Sequence, residues 1–144
     1  MDKIVFITGA SSGIGAGCAR KFASQGASLI LNARNVNKLS ALKEELEKQY
    51  GAKIYLLPFD VRDRKAATSA LESLPKEWQS IDILVNNAVL VIGTDKEQEG
   101  SLDEWDIVID TNIKALLAMT RLSVAGMVER KRGHIINIGS IAGD

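Results

Sequence analysis

"IVFITGASSGIG", residues Ile4 to Gly15, decides the fold. Its first five residues, Ile4 to Thr8, are a nearly continuous apolar run ending at a glycine, the pattern of a strand buried on both faces. A turn with glycines at 9, 13 and 15 follows, and then a stretch that places Ile14, Cys18, Ala19 and Phe22 on one side of a helix. Gly26 closes that helix as a C-cap. A glycine where the strand ends lets the chain turn tightly, a later one lets a phosphate approach the main chain, and the helix N-terminus supplies oriented N–H donors. The spacing is G-x-x-x-G-x-G, which differs from the G-x-G-x-x-G dinucleotide fingerprint. Three glycines can merely mark a tight turn, but strand–turn–helix is the context that a phosphate cradle requires.

Outward from this unit the pattern repeats. Strands are expected at Ser28 to Asn32, Ile54 to Pro58, Ile81 to Asn86 and His134 to Ile138, with helices over Val36 to Tyr50, Arg62 to Leu74 and Asn112 to Val128. The 36–50 helix carries Leu39, Leu42 and Leu46 at helical spacing, and Ser101 and Glu104 stand in capping-box register ahead of the last helix. Alternating strands and helices argue for a parallel sheet covered on both faces, an α/β Rossmann-type doubly wound fold in the order 3-2-1-4-5. Residues 1–144 read as a single domain, with no repeat and no linker. A ligand crevice is expected between the first and fourth strands, where the winding direction reverses.

Composition narrows the partners. Lys plus Arg equals Asp plus Glu at 18 each, so there is no electrostatic footprint for nucleic acid or an anionic membrane. A single cysteine, Cys18, excludes an internal disulfide, and a single histidine, His134, argues against a His-rich metal site or a Ser–His arrangement; no metal is expected. The apolar run in MDKIVFITGA is too short for a secretory signal or a membrane span, so a cytoplasmic protein is expected.

Further motifs fall at the carboxyl ends of the strands. "LNARN", Leu31 to Asn35, places Ala33 and Arg34 where NAD-selective folds keep a carboxylate for the ribose. A guanidinium there can grip a 2′-phosphate through a charge-assisted fork, which favours NADP over NAD. Asp60 and Val61 follow the third strand; the carboxylate can accept an adenine amino group or serve as a turn residue. "VNNAV", Val85 to Val89, ends the fourth strand without a firm role from spacing alone. Asn112 lies near the start of a long apolar helix, where a buried amide needs partners. Ser140, in "INIGSIAGD", is delivered to the end of the fifth strand, where a hydroxyl can bond a substrate oxygen.

Taken in order, "TGASSGIG", "FDVRD", "VNNA", "DTN" and "GHIINIGSIAG" resemble the classical short-chain dehydrogenases/reductases over the whole chain. The resemblance is closest to NADP-dependent members acting on 3-hydroxy acids of the serine and allo-threonine type. It implies that Thr8, Gly9, Ser11, Ser12, Gly13, Ile14 and Gly15 cradle the pyrophosphate and adenosine side of NADP(H). Arg34 would hold the 2′-phosphate, Asp60 and Val61 would contact adenine, and Asn86, Asn87 and Ala88 would line the ribose side. Asn112 would hold a water of a proton relay, and Ser140 would bond the reacting oxygen of a small-molecule substrate. Two departures stand out. Val89 replaces the glycine that follows N-N-A in the family, and the family's Y-x-x-x-K pair is not among these residues, whose tyrosines are Tyr50 and Tyr55. The chain therefore reads as the cofactor-binding part of such an enzyme, without the catalytic helix and the substrate-covering segment. It is expected to have negligible activity alone, or to be a binding module or scaffold without catalysis. Apolar residues of the 112–128 helix and the 134–138 edge strand lead to an expectation of self-association.

Overall fold

The computed structural model describes residues 2–87, 90–91, 133–137 and 141–142. Strands β1 (Ile4–Ile7), β2 (Ser28–Leu31), β3 (Ile54–Leu56), β4 (Ile83–Asn86) and β6 (His134–Asn137) form one five-stranded sheet in the order β3-β2-β1-β4-β6. Every pairing in it is parallel; Ile7 stands opposite Leu31 on one side and Val85 on the other. This is the 3-2-1-4-5 arrangement expected from the strand–helix alternation. A second, two-stranded parallel sheet joins β5 (Leu90–Val91) to β7 (Ile141–Ala142), a pairing that the sequence reading did not anticipate.

Both faces of the sheet are covered, which is why its strands are apolar throughout rather than alternating. On one face Val5, Ile7, Leu29, Leu31 and Val85 pack against α1 (Gly13–Ser24) and α2 (Val36–Tyr50), which contribute Ala19, Ala23, Leu39, Leu42 and Leu46. On the other, Phe6, Ile30 and Leu84 meet Ala67 of α3 (Arg64–Glu72), Leu74, Ile81 and Trp78 of a short 3₁₀ turn, Lys76–Trp78. Tyr55 packs beside Trp78 with ring centroids 5.7 Å apart, and the Lys53 ammonium lies 5.5 Å from the Trp78 ring. At the amino edge Asp82 ties β4 to β1: its Oδ2 accepts from the Ile4 amide and its own amide donates to the Ile4 carbonyl, both at 2.9 Å.

The first helix differs from its reading in sequence at one residue: Cys18, Ala19 and Phe22 lie on the core side as expected, and Ile14 does not. Ile14 is 48% exposed, while Gly15, Ala19 and Ala23 are buried. A stripe of small residues at four-residue spacing lets α1 lie close to the sheet, and that rotation turns Ile14 outward at the carboxyl end. Cys18 remains on the core side, half-buried, and desolvation pushes its thiol up. The third helix begins later than Arg62, because Asp63 takes the N-cap and accepts from the Ala66 amide at 3.1 Å. Among the described residues no helix is long and apolar enough to cross a membrane, and no group of three or more His, Cys, Asp or Glu side chains is placed to hold a metal ion.

Candidate functional site

The carboxyl ends of β1 and β4 are tied together by Thr8 and Asn87. Thr8 is fully buried; its amide donates to the Val85 carbonyl at 3.0 Å, and its hydroxyl accepts from the Asn87 amide at 2.9 Å. The turn after Thr8 then depends on Gly9, whose φ of 61° lies in the left-handed region that a side chain disfavours. The Gly9 carbonyl turns inward and accepts from the Ser12 amide at 3.1 Å, the Ser12 hydroxyl at 2.9 Å and Asn87 Nδ2 at 3.3 Å.

Ser12 is the N-cap of α1, with its Oγ accepting from the Gly15 amide at 3.1 Å. The same oxygen accepts from Asn87 Nδ2 at 2.9 Å and donates to the Gly9 carbonyl. One donor and two acceptor positions exhaust a hydroxyl. Ser12 thus holds the shape of the turn and has no proton left for a ligand. Asn87 is 1% exposed; with Nδ2 spent on this turn, its buried Oδ1 has no partner among the described residues.

What the turn leaves open is a set of donors. Of the first-turn amides, Gly15 N–H is taken by Ser12 Oγ and Ala16 N–H by the Ser12 carbonyl at 2.7 Å. The Gly13 and Ile14 amides lie ahead of the first intrahelical bond, at the positive end of the helix dipole. An added Cβ at Gly13 would meet nothing within 4 Å, and its backbone needs no positive φ, so the protein's own packing does not demand a glycine there. Gly15 is the opposite case: a Cβ would stand 2.2 Å from the Gly9 carbonyl oxygen and 2.6 Å from Asn87 Nδ2. One glycine serves the packing of helix against turn, and the other keeps a surface open at a helix N-terminus. These residues fit a phosphate group.

The second wall of the site lies beyond β2 and β3. Arg34 is exposed in the turn between β2 and α2. Asp60, past the end of β3, is forked by Arg62: Nη2 donates to Oδ2 at 2.8 Å, Nε to Oδ1 at 3.1 Å, and the Arg62 amide to Oδ1 at 2.9 Å. The Arg62 side chain holds the Asp60 carboxyl below the ordinary carboxylate range, with smaller help from the Arg62 amide and Arg34 against the opposing effect of partial burial. Nε also lies 3.3 Å from Oδ2, so each carboxylate oxygen is met twice by Arg62. The Val61 side chain packs into the second core cluster.

Thr8, Gly9, Ser12, Gly15 and Asn87 are thus brought into one hydrogen-bonded unit, with Ser11, Gly13 and Ile14 on the same turn. Asn86 ends β4 and is buried. Ala88, Val89, Asn112 and Ser140 lie outside the described residues. Sequence reasoning missed Asn32, a 1% exposed amide that bonds Gly9, Leu57 and Phe59. The available signal was a polar residue directly after the apolar run of β2.

Comparison with known proteins agrees with this architecture. Residues 3–144 match the family model of the short chain dehydrogenases. The chain is 48% identical over 140 residues to the NADP-dependent 3-hydroxy acid dehydrogenase YdfG of Escherichia coli O6:H1, a match covering 97% of this chain and 55% of that protein. It superposes on the closed form of serine dehydrogenase complexed with NADP+ with a TM-score of 0.80 at 46% identity, over 97% of this chain and 55% of the other. A metagenomic short-chain oxidoreductase in complex with NADP gives a TM-score of 0.83 at 36% identity, over 99% and 64% of the two chains. The chain spans about half the length of the curated relatives it matches. With its parallel sheet, glycine turn and ordered motifs, the chain belongs to the short-chain dehydrogenase family.

Proposed function

We propose that this chain forms the NADP(H)-binding part of an oxidoreductase that exchanges hydride between NADP and a small alcohol or 3-hydroxy acid. The observation that carries the reading is the locked turn before α1, which leaves the Gly13 and Ile14 amides facing an open surface. Their N–H groups, aided by the helix dipole, bind the pyrophosphate. Thr8, Gly9, Ser12, Gly15 and Asn87 hold those amides in place, and the Ser11 hydroxyl joins Arg34 on the 2′-phosphate. Asp60 accepts the adenine amino group, with the Val61 amide beside it. Asn86, Asn87 and Ala88 border the ribose. When bound, the nicotinamide supplies or receives the hydride; Ser140 hydrogen-bonds the substrate oxygen, and Asn112 holds a water of the proton relay. The protein acts in the cytoplasm on a small molecule, with no nucleic-acid or membrane partner.

Neither tyrosine of the 144 residues takes the place of the proton donor. Tyr50 ends α2 and Tyr55 packs against Trp78, so neither phenol is placed to serve the crevice. A positioned general acid contributes about 10²–10⁴-fold. The 144-residue chain assayed by itself is expected to show negligible turnover of 3-hydroxy acids with NADP. Val89 supports a second reading, a non-catalytic scaffold that binds no cofactor, because a β-branched side chain stands where the family resemblance implies glycine.

Fluorescence titration with NADPH and NADH separates the two. Saturable binding with NADPH preferred is expected, and Arg34→Ala should lower NADPH affinity about 10–100-fold through lost charge-assisted bonds while moving NADH little. A folded protein that binds neither nucleotide rejects the cofactor reading in favour of the scaffold.

A further inference from the structure

Asn32 stands immediately past β2, and its side chain links loops from both neighbouring strands. Oδ1 accepts from the Gly9 amide at 3.4 Å, while Nδ2 donates to the Leu57 carbonyl at 3.1 Å and to the Phe59 carbonyl at 3.0 Å. The chemistry of the partners fixes the sense of the amide, since carbonyls only accept and an N–H only donates. Its backbone is engaged as well: the amide donates to the Ile7 carbonyl at 2.9 Å, and the carbonyl accepts from the Ala10 amide at 2.7 Å. Gly9 opens the turn that carries the phosphate-facing amides, and Phe59 directly precedes Asp60 and Val61. A leucine repeats the branching of the side chain but leaves the three backbone groups bonded to it without partners, a burial cost that hydrophobic packing does not require.

We propose that Asn32 is a positioning residue for the cofactor: it sets the distance between the phosphate turn and the adenine-side loop, so that one dinucleotide engages both at once. The proposal rests on the NADP reading above. A ligand that spans two subsites gains because its second contact is intramolecular, and this gain depends on the subsites being held at a matching separation. If the loops drift, each still binds its own fragment, but joint binding weakens. A residue that merely stabilised the fold would affect whole ligand and fragment alike.

The test compares the native chain with Asn32→Leu and Asn32→Ser, each first shown to be folded by circular dichroism and urea unfolding. NADPH serves as the spanning ligand and adenosine, which reaches the adenine-side loop alone, as the single-subsite probe. The expected result is an NADPH affinity lowered about tenfold or more in the variants, with adenosine within about twofold of native. Unchanged NADPH affinity, or parallel weakening of both ligands, overturns the proposal. Failure of the native chain to bind either ligand instead overturns the cofactor reading, and this proposal with it. Asn32→Ser carries the comparison should the leucine variant not fold, since water can satisfy the groups that it releases.

Discussion

At the scale of single residues, three glycines of one segment carry three different loads. Gly15 is caught between the Gly9 carbonyl and Asn87, so Gly15→Ala should destabilise the protein by about 3 kcal/mol or more, with loss of nucleotide binding. At Gly17 nothing lies within 4 Å of an added Cβ, and glycine inside a helix only costs backbone entropy. Gly17→Ala should therefore stabilise by about 0.5–1 kcal/mol. Gly13 is open as well, but its opening faces the proposed phosphate site. Gly13→Ala should leave stability within about 0.5 kcal/mol and still weaken NADPH binding about tenfold, as the methyl displaces a charged hydrogen-bonding group. Urea unfolding and NADPH titration on the three variants check the series. Equal effects at Gly13 and Gly17 would count against a ligand at the helix N-terminus.

At the scale of elements, the helices start where a side chain satisfies their first amides. Asn35 caps α2 by accepting from the Lys38 amide at 3.2 Å, and Asp63 does the same for α3. Asn35→Ala should cost about 1 kcal/mol, the usual penalty for a lost cap on an exposed helix. Ser12→Ala should cost more, because the hydroxyl also bonds the Gly9 carbonyl and Asn87. The two variants should differ in function too: Asn35→Ala keeps nucleotide affinity and Ser12→Ala loses it, read from thermal melts with and without NADPH. Ligand protection that vanishes in Ser12→Ala alone would locate the binding turn at α1. Between α1 and α2, the Arg20–Glu45 pair at 2.7 Å is exposed on both sides, and such pairs contribute little.

At the scale of the whole molecule, the sheet order places β1 and β4 side by side, with α1 and α2 on one face and α3 on the other. Because all five strands run parallel, the turns after β1, β2 and β3 and Asn87 after β4 gather along one edge, where sheets of this order bind their ligands. Among the described residues β6 is the last strand on the side of β4, and Ile136 within it is 38% exposed. An apolar strand at a sheet edge is a template for pairing with another chain. We expect the 144-residue chain to self-associate through this edge or the 112–128 segment, seen as concentration-dependent sedimentation. Ile136→Lys should shift the population toward monomer if the edge is the contact, and leave it unchanged if the 112–128 segment is.

The sequence by itself determined the sheet and its order. Apolar runs such as Ile4 to Ile7, glycine turns and leucine spacing are local patterns, and right-handed crossovers leave few ways to wind them together. It also marked the glycine turn, Arg34 and Asp60 as candidates, since each follows the end of a strand, while the Asn86–Asn87 pair drew its role only from the family resemblance. Only the tertiary structure decided that Gly15 and Ala23 rather than Ile14 join Ala19 against the sheet, because helix rotation depends on how closely the two surfaces approach. The parallel β5–β7 pair joins segments about 50 residues apart in the chain. The bonds from Asn32 to Gly9, Leu57 and Phe59, and from Asn87 to Gly9 and Ser12, were likewise decided by the fold. A buried amide announces that it needs partners, but which backbone groups meet it depends on where distant strands end, and that is a property of the assembled sheet.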